Sequence, residues 1–352
     1  MSTPPSSTDI KQAAQRLLQG GLVAFPTETV YGLGADAENP QAIAAIYQAK
    51  GRPSDHPVIV HVARQANLSY WAASVPPEAA KLVKAFWPGP LTLILPRAAH
   101  IPDAVSGGQD SIGLRCPSHP VACALLAEFA RLKGGNGGVA APSANKFGQV
   151  SPTRPEHVRA EFPELDDSKL LVLDGGPAQV GIESTILDLS RLHQGVGPVL
   201  LRPGHISPQD IAAVLGVLPA AHDAQAPRVS GALKAHYAPH TPLVLYTLAA
   251  IQQWLGKNAP SVAPPGAVSG KVVTTERMVV MGLGSAPAEL PLHVLWHAMP
   301  QTPKAYASAL YDTLRRLDAA GHTCIVAQQP PHTEDWQAVN DRLGRAAAAF
   351  QE

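Results

Sequence analysis

Two short segments concentrate the polar chemistry of this chain: Pro26-Thr-Glu-Thr-Val-Tyr-Gly-Leu-Gly34 and Lys50-Gly-Arg-Pro53. They set hydroxyls, glycines and two closely spaced cations just beyond an apolar stretch, Leu22–Phe25. That combination suits a buried, backbone-rich pocket for a small polar ligand bearing phosphates. Further polar residues follow at the ends of apolar runs. Ser54 and His61 lie beyond Arg52, and Ser111-Ile-Gly-Leu-Arg115 places Ser111, Gly113 and Arg115 on one strand face by alternation. Ala141-Pro-Ser-Ala-Asn145 leads on to Ser151, and Gly181-Ile-Glu-Ser-Thr185 and Leu201-Arg-Pro-Gly204 complete the series. Alone, Ser-Ala-Asn and Arg-Pro-Gly are ordinary turn chemistry, and a histidine beside apolar residues is an ordinary core histidine. Arg115 is different, because a guanidinium inside an apolar strand demands an anionic partner. A ligand carboxylate or phosphate would provide one.

Other chemistries find little support. Walker A and GxGxxG patterns are absent: Gly32 and Gly34 lack a third glycine at the required spacing. GxSxG, HExxH and paired-carboxylate patterns are missing too. Cys116, Cys123 and Cys324 show no ligand spacing and read as reduced thiols in the apolar interior rather than a zinc site or disulfides.

These polar segments need a scaffold, and the hydrophobic periodicity supplies one. Helical spacing over residues 9–19 stops at Gly20-Gly21, and Leu22–Phe25 reads as a buried strand opening into a loop over Pro26–Gly34. Asn39-Pro40 starts a helix that ends at Lys50. Strands are expected at Val58–Val62, Leu91–Leu95, Ile112–Arg115, Gly138–Ala141, Leu170–Leu173, Ser184–Leu189 and Val199–Leu201. Helices are expected at Pro77–Phe86, Val121–Leu132, Pro155–Glu161 and from Ser207-Pro208 to Leu215. Because strands and helices do not alternate strictly, the pattern predicts an α/β (α+β) fold with a mixed sheet. Residues 217–241 read as an aperiodic Pro/Ala/His-rich linker. Beyond it come strand Leu243–Tyr246, helix Leu248–Leu255, a flexible loop over Ala259–Gly270, strand Met278–Met281, helix Pro303–Leu317, strand Thr323–Ala327 and helix Trp336–Phe350.

Composition narrows the function. With 352 residues, 45% hydrophobic and 15% charged, the chain favours two domains with substantial cores. Lys+Arg and Asp+Glu balance at 27 each, so no global field attracts nucleic acid or an anionic membrane. The polar N-terminus lacks a signal pattern and no run is long enough to span a membrane, so a cytoplasmic location without membrane association is expected.

Taken in order, these segments, with Trp87-Pro-Gly-Pro-Leu-Thr92 and Arg115-Cys-Pro-Ser-His-Pro120, resemble the YrdC/Sua5 family of L-threonylcarbamoyladenylate synthases. The linker is similar to the Ser-Gly-x-x-x-x-His-Tyr-x-Pro segment of the two-domain, Sua5-type members, and Asp335–Leu343 resembles the end of their C-terminal domain. The resemblance implies a YrdC-like twisted mixed sheet over 9–208, a linker and lid over 209–241, and a small Rossmann-like αβ domain over 242–352. It also implies condensation of L-threonine, bicarbonate and ATP into threonylcarbamoyl-AMP with release of pyrophosphate. A tRNA threonylcarbamoyl transferase complex would then pass the product to adenosine 37 of tRNAs reading ANN codons.

On that resemblance, Thr27, His61, Arg115, the Ala141 backbone and Ser184 are expected to hold L-threonine. Lys50, Arg52, Ser54, Ser111, Ser143, Asn145, Ser151, Arg202 and Ser230 are expected around ATP, with Lys50 and Arg52 as the catalytic cations. Mg2+ would accompany ATP. His236 and Tyr237 are expected to belong to the lid. A YrdC-type RNA-binding module, with direct tRNA contact, is the alternative. A carbamoyl-adenylate enzyme of hydrogenase maturation shares only the YrdC portion, and its zinc-finger cysteines are absent here.

Overall fold

In the computed structural model, residues 5–256, 278–288, 290–291 and 294–351 are described. The expected loop at Ala259–Gly270 lies outside them. Contacts divide the chain into one unit of Met1–Phe147 with Ser151–Ala232 and a second of Gly148–Val150 with Leu233–Glu352.

The first unit opens with helix α1 (Ser7–Leu18), whose start is fixed by a reciprocal capping box between Ser6 and Asp9. Strand β1 (Leu22–Phe25) follows and pairs antiparallel with β2 (Gly32–Asp36), so Gly32 to Gly34 belong to a strand and the expected loop shrinks to 26–31. Gly34 makes that pairing possible: a Cβ there would fall 2.8 Å from both Phe25 and Val139. Helix α2 (Pro40–Lys50) begins at the Asn39 cap with Pro40 in its first turn. It ends at Gly51, whose positive φ of 61° turns the chain between Lys50 and Arg52.

The chain continues through β3 (Ile59–Val62), α3 (Leu68–Trp71), α4 (Pro77–Phe86), β4 (Leu91–Pro96), α5 (Asp103–Ser106), β5 (Ser111–Arg115), α6 (Pro120–Leu132) and β6 (Gly138–Ala140). It closes with α7 (Pro155–Glu161), β7 (Leu170–Val172), β8 (Thr185–Asp188), β9 (Val199–Arg202), α8 (Pro208–Leu215) and β10 (Ala220–Ala221). These strands form one mixed sheet in the order β10-β9-β8-β4-β5-β3-β6-β2-β1-β7. Residues 217–232, expected as linker, instead contribute β10 to the sheet edge and cluster with the first unit.

Register explains how the sheet positions polar groups. His61 pairs with Arg115, Ile59 and Ile94 with Gly113, and Ile186 with both Thr92 and Arg202. Since side chains alternate, Arg202, Thr92, Gly113, Arg115 and His61 emerge on one face. Their neighbours Leu93, Leu114, Leu187, Val60 and Ala140 emerge on the other, inside the main hydrophobic core.

The second unit is a parallel sheet of β11 (Leu243–Tyr246), β12 (Met278–Leu283), β13 (Val294–Met299) and β14 (Cys324–Gln328) in the order β11-β14-β12-β13. Helices α9 (Leu248–Gly256), α10 (Pro303–Ala319) and α11 (Gln337–Ala348) accompany it. Strand β13 was missed in the sequence: its Leu295 is exposed and its apolar residues do not alternate with polar ones.

Candidate active site

The loop between β1 and β2 is locked by its own hydroxyls. Thr27 Oγ1 donates to the Val30 carbonyl at 2.6 Å and accepts from the Thr29 and Val30 amides at 3.2 Å each. Thr27, expected to face a substrate, therefore spends its hydroxyl on the turn. Thr29, which was not singled out, accepts from Arg115 Nη1 at 2.9 Å. Arg115 finds its anion within the fold. Its buried charge is met by Glu28 of the same loop, with Nη2 at 2.6 Å from Oε1 and both side chains 5% exposed. The other Glu28 oxygen accepts from the Ser118 amide at 3.0 Å. The anion that burial demanded is thus internal, and the signal for it was a glutamate between two threonines.

Arg115 still has capacity. Its Nε donates to Gly89 O at 3.3 Å, so three of its five N–H groups are used among the described residues. One N–H on each terminal nitrogen remains, which matches the two oxygens of a carboxylate. On the adjacent strand, His61 is 3% exposed and its Nδ1 has no hydrogen-bond partner among the described residues. Burial, reinforced by the Arg115 charge, pushes its pKa down to about 3, so the ring is neutral.

Of the remaining cations, Lys50 and Arg52 lie at the end of α2, and Arg202 shares the sheet face of Arg115. Lys50 is 2% exposed, and its ammonium donates to Ser143 O at 2.6 Å and to Asn145 O. Burial, then the nearby Arg52, holds its pKa well below the usual lysine range. Arg52 donates to Pro57 O at 2.8 Å and Ser230 Oγ at 3.1 Å. Arg202 reaches the Ser230 carbonyl at 2.8 Å, and the Ser184 carbonyl and hydroxyl at 3.1 Å each. Ser230 therefore joins two arginines from distant parts of the chain.

Other expected residues divide. Ser184 is buried and bonded to Thr92 at 2.7 Å, while Ala141 gives its amide to Ile59 O at 2.9 Å. Ser143 and Asn145 are drawn to Lys50 through their carbonyls, and Ser151 donates to Glu183 at 2.6 Å. Ser111 lines a small pocket with Pro57, Gln109, Gly113, Arg228 and Ser230. Ser54 is exposed on the turn beyond Arg52. His236 and Tyr237 are buried residues of the second unit, where the Tyr237 ring lies 5.7 Å from Tyr311 and 5.4 Å from the Arg342 guanidinium. Of the thiols, Cys116 and Cys324 are buried but Cys123 is only half-buried.

A family profile for Sua5, YciO and YrdC proteins, described as "Telomere recombination", matches residues 15–204. The chain belongs to this family. A second profile, "Threonylcarbamoyl-AMP synthase, C-terminal domain", matches residues 206–348 and adds the Sua5-type second unit. Among relatives, the threonylcarbamoyl-AMP synthase of Bacillus subtilis is 39% identical over 348 residues, covering 96% of this chain and 92% of the relative. That of Pyrococcus abyssi is 35% identical over 343 residues, covering 96% and 94%. The crystal structure of Pyrococcus abyssi Sua5 complexed with L-threonine superposes with a TM-score of 0.82 at 32% identity, covering 99% of this chain and 96% of that one. The family fold, a mixed sheet with flanking helices and an added αβ unit, is the one expected from the sequence.

Proposed function

We infer that this chain is an L-threonylcarbamoyladenylate synthase, which makes threonylcarbamoyl-AMP and pyrophosphate from L-threonine, bicarbonate and ATP for tRNA modification. Near-full-length identity to threonylcarbamoyl-AMP synthases supports the reading. The observation that carries it is one sheet face bearing Arg115, with two open N–H groups, and Arg202, which Ser230 links to Arg52 beside the buried Lys50.

In this reading Arg115 grips the threonine carboxylate, while neutral His61 and Ser184 meet the amine and hydroxyl. Thr29 joins that set in preference to Thr27, whose hydroxyl is committed to the turn. Lys50, Arg52 and Arg202 take the triphosphate. The threonine amine attacks CO2 and gives up a proton to form the carbamate, or forms it from bicarbonate with loss of water. A carbamate oxygen then attacks the α-phosphorus, breaking the α–β anhydride bond as pyrophosphate leaves. This chemistry rests on positioning and charge stabilisation rather than on a protein nucleophile. Among the described residues no group of three or more His, Cys, Asp or Glu side chains is arranged to hold a metal ion. We propose Mg2+ as an ion carried in by ATP, with phosphate oxygens and water as its ligands.

Transfer of the product to a tRNA threonylcarbamoyl transferase complex, and a lid role for His236 and Tyr237, belong to the same proposal. The lid is tested by replacing both residues with alanine: unchanged turnover would remove it. No described helix is long and apolar enough to cross a membrane. The function is tested by pyrophosphate release from ATP with bicarbonate present. Release should require L-threonine, and a rate unchanged by its omission refutes the assignment.

A further inference from the structure

The stretch from Ala226 to Ser230 is held against the rest of the first unit by a bracket that no expected role explains. Gln109 Oε1 accepts from the Arg228 amide at 2.8 Å, and its Nε2 donates to the Arg228 carbonyl at 3.1 Å. One side-chain amide thus satisfies both backbone groups of one residue, as a neighbouring β-strand would. The Arg228 guanidinium adds contacts at 3.3 Å to Asp55 Oδ2 and to the Gly107 carbonyl. Val229 inserts between Ile94, Ile186 and Leu201 in a small apolar cluster. Ser230 follows, donating to Pro57 O at 2.9 Å and receiving Arg52 and Arg202.

We propose that Gln109 is a positioning residue for nucleotide use. By fixing the backbone at Arg228, it fixes Ser230 two residues on, and so holds Arg52 and Arg202 convergent before ATP arrives. Bringing two guanidiniums to one serine works against their mutual repulsion. A scaffold that maintains the arrangement in advance removes that work from the binding step. The same bracket forms one wall of the pocket that Ser111 and Gly113 line from β5. The inference rests on the reading that Arg52 and Arg202 take the triphosphate.

Gln109 is half-buried, and Gln109→Ala removes its two hydrogen bonds to Arg228 and a longer one, at 3.3 Å, to the neighbouring Ser106 carbonyl, so the fold should survive. Two neutral hydrogen bonds predict a rise of about five- to thirtyfold in KM for ATP. KM for threonine should stay within about twofold, since Arg115 and His61 lie outside the bracket and Ser184, which Arg202 also reaches, is held independently by Thr92. Arg228→Ala keeps the backbone bracket and loses only exposed contacts, so its KM for ATP should also stay within about twofold. Equal effects of the two substitutions, or an unchanged KM in Gln109→Ala, would overturn the proposal. Limited trypsin digestion judges the bracket independently of activity. Cleavage after Arg228 should be faster in Gln109→Ala than in the unsubstituted protein, and equal rates overturn the bracket. If the unsubstituted protein shows no threonine-dependent pyrophosphate release, the functional reading fails, and digestion still decides whether Gln109 holds the segment.

Discussion

Arg115 and Lys50 are both buried cations at the ends of regular elements, yet they are compensated in opposite ways. Arg115 faces a full carboxylate, Glu28, at 2.6 Å. Lys50 is met by the carbonyl oxygens of Ser143 and Asn145. Carbonyls supply dipoles, not charge, so Lys50 remains an expensive cation and its pKa falls. The difference sorts the ligands. A side already neutral overall suits a zwitterion such as an amino acid, which needs geometry more than net charge. On the proposed reading, a side whose buried lysine is met by carbonyl dipoles rather than by a bonded carboxylate suits a triphosphate, which brings full charge.

The largest effect that could break this comparison is on folding. Glu28→Ala leaves Arg115 buried and unpaired, which should cost about 3–5 kcal/mol. Urea denaturation measures it, and a loss below about 1 kcal/mol, the range of a surface pair, would mean that the charge is compensated elsewhere. Adding Arg115→Met to Glu28→Leu should recover much of the loss, because a buried pair is replaceable by apolar side chains of similar volume.

Activity should separate the two sides next. Lys50→Ala should lower kcat/KM for ATP by about 10- to 100-fold, the worth of a charge-assisted hydrogen bond to phosphate. The threonine requirement should change far less. Arg115→Ala should show the reverse pattern, raising KM for threonine by a similar factor with the ATP requirement nearly kept. Steady-state pyrophosphate release at varied threonine and ATP measures both. Equal effects on both substrates from either substitution would merge the two sides into one.

How much of this was readable beforehand follows the same line. Most strand and helix positions were legible because the cores repeat at period two or near 3.6: Pro77–Phe86 and Pro155–Glu161 fall where their patterns place them, whereas β2 and β13, without such a pattern, do not. The demand for an anion at Arg115 was legible too, since it follows from burial alone. Its identity was not. Glu28 and Arg115 are distant in sequence, and only the sheet order β5-β3-β6-β2-β1 brings the loop after β1 to the end of β5. Gln109 was invisible for a related reason, because its work is done on another residue's backbone. The segment after residue 217 looked like linker by composition. Its order comes from single contacts at Arg228, Val229 and Ser230, which leave no periodic trace.

A pH-dependent effect is predicted at His61, which lies beside Arg115 in the β3–β5 register. Its folded pKa of about 3 lies below the ordinary histidine value, so the native state binds fewer protons than the unfolded chain in the window between them. The stability this contributes is complete above about pH 6.5 and is lost at about 1.4 kcal/mol per unit as pH falls toward 3. Between pH 8 and pH 5 the loss should be about 2 kcal/mol, and His61→Phe should flatten that slope in urea melts. An unchanged slope would place the titration elsewhere. Threonine sharpens the test, because Arg115 is the second cause of the depression after burial. A carboxylate bound at Arg115 would weaken that cause and move His61 upward, whereas ATP phosphates at Lys50 and Arg52 would leave it nearly in place. Imidazole NMR shifts followed with each ligand would show which of the two sides His61 senses.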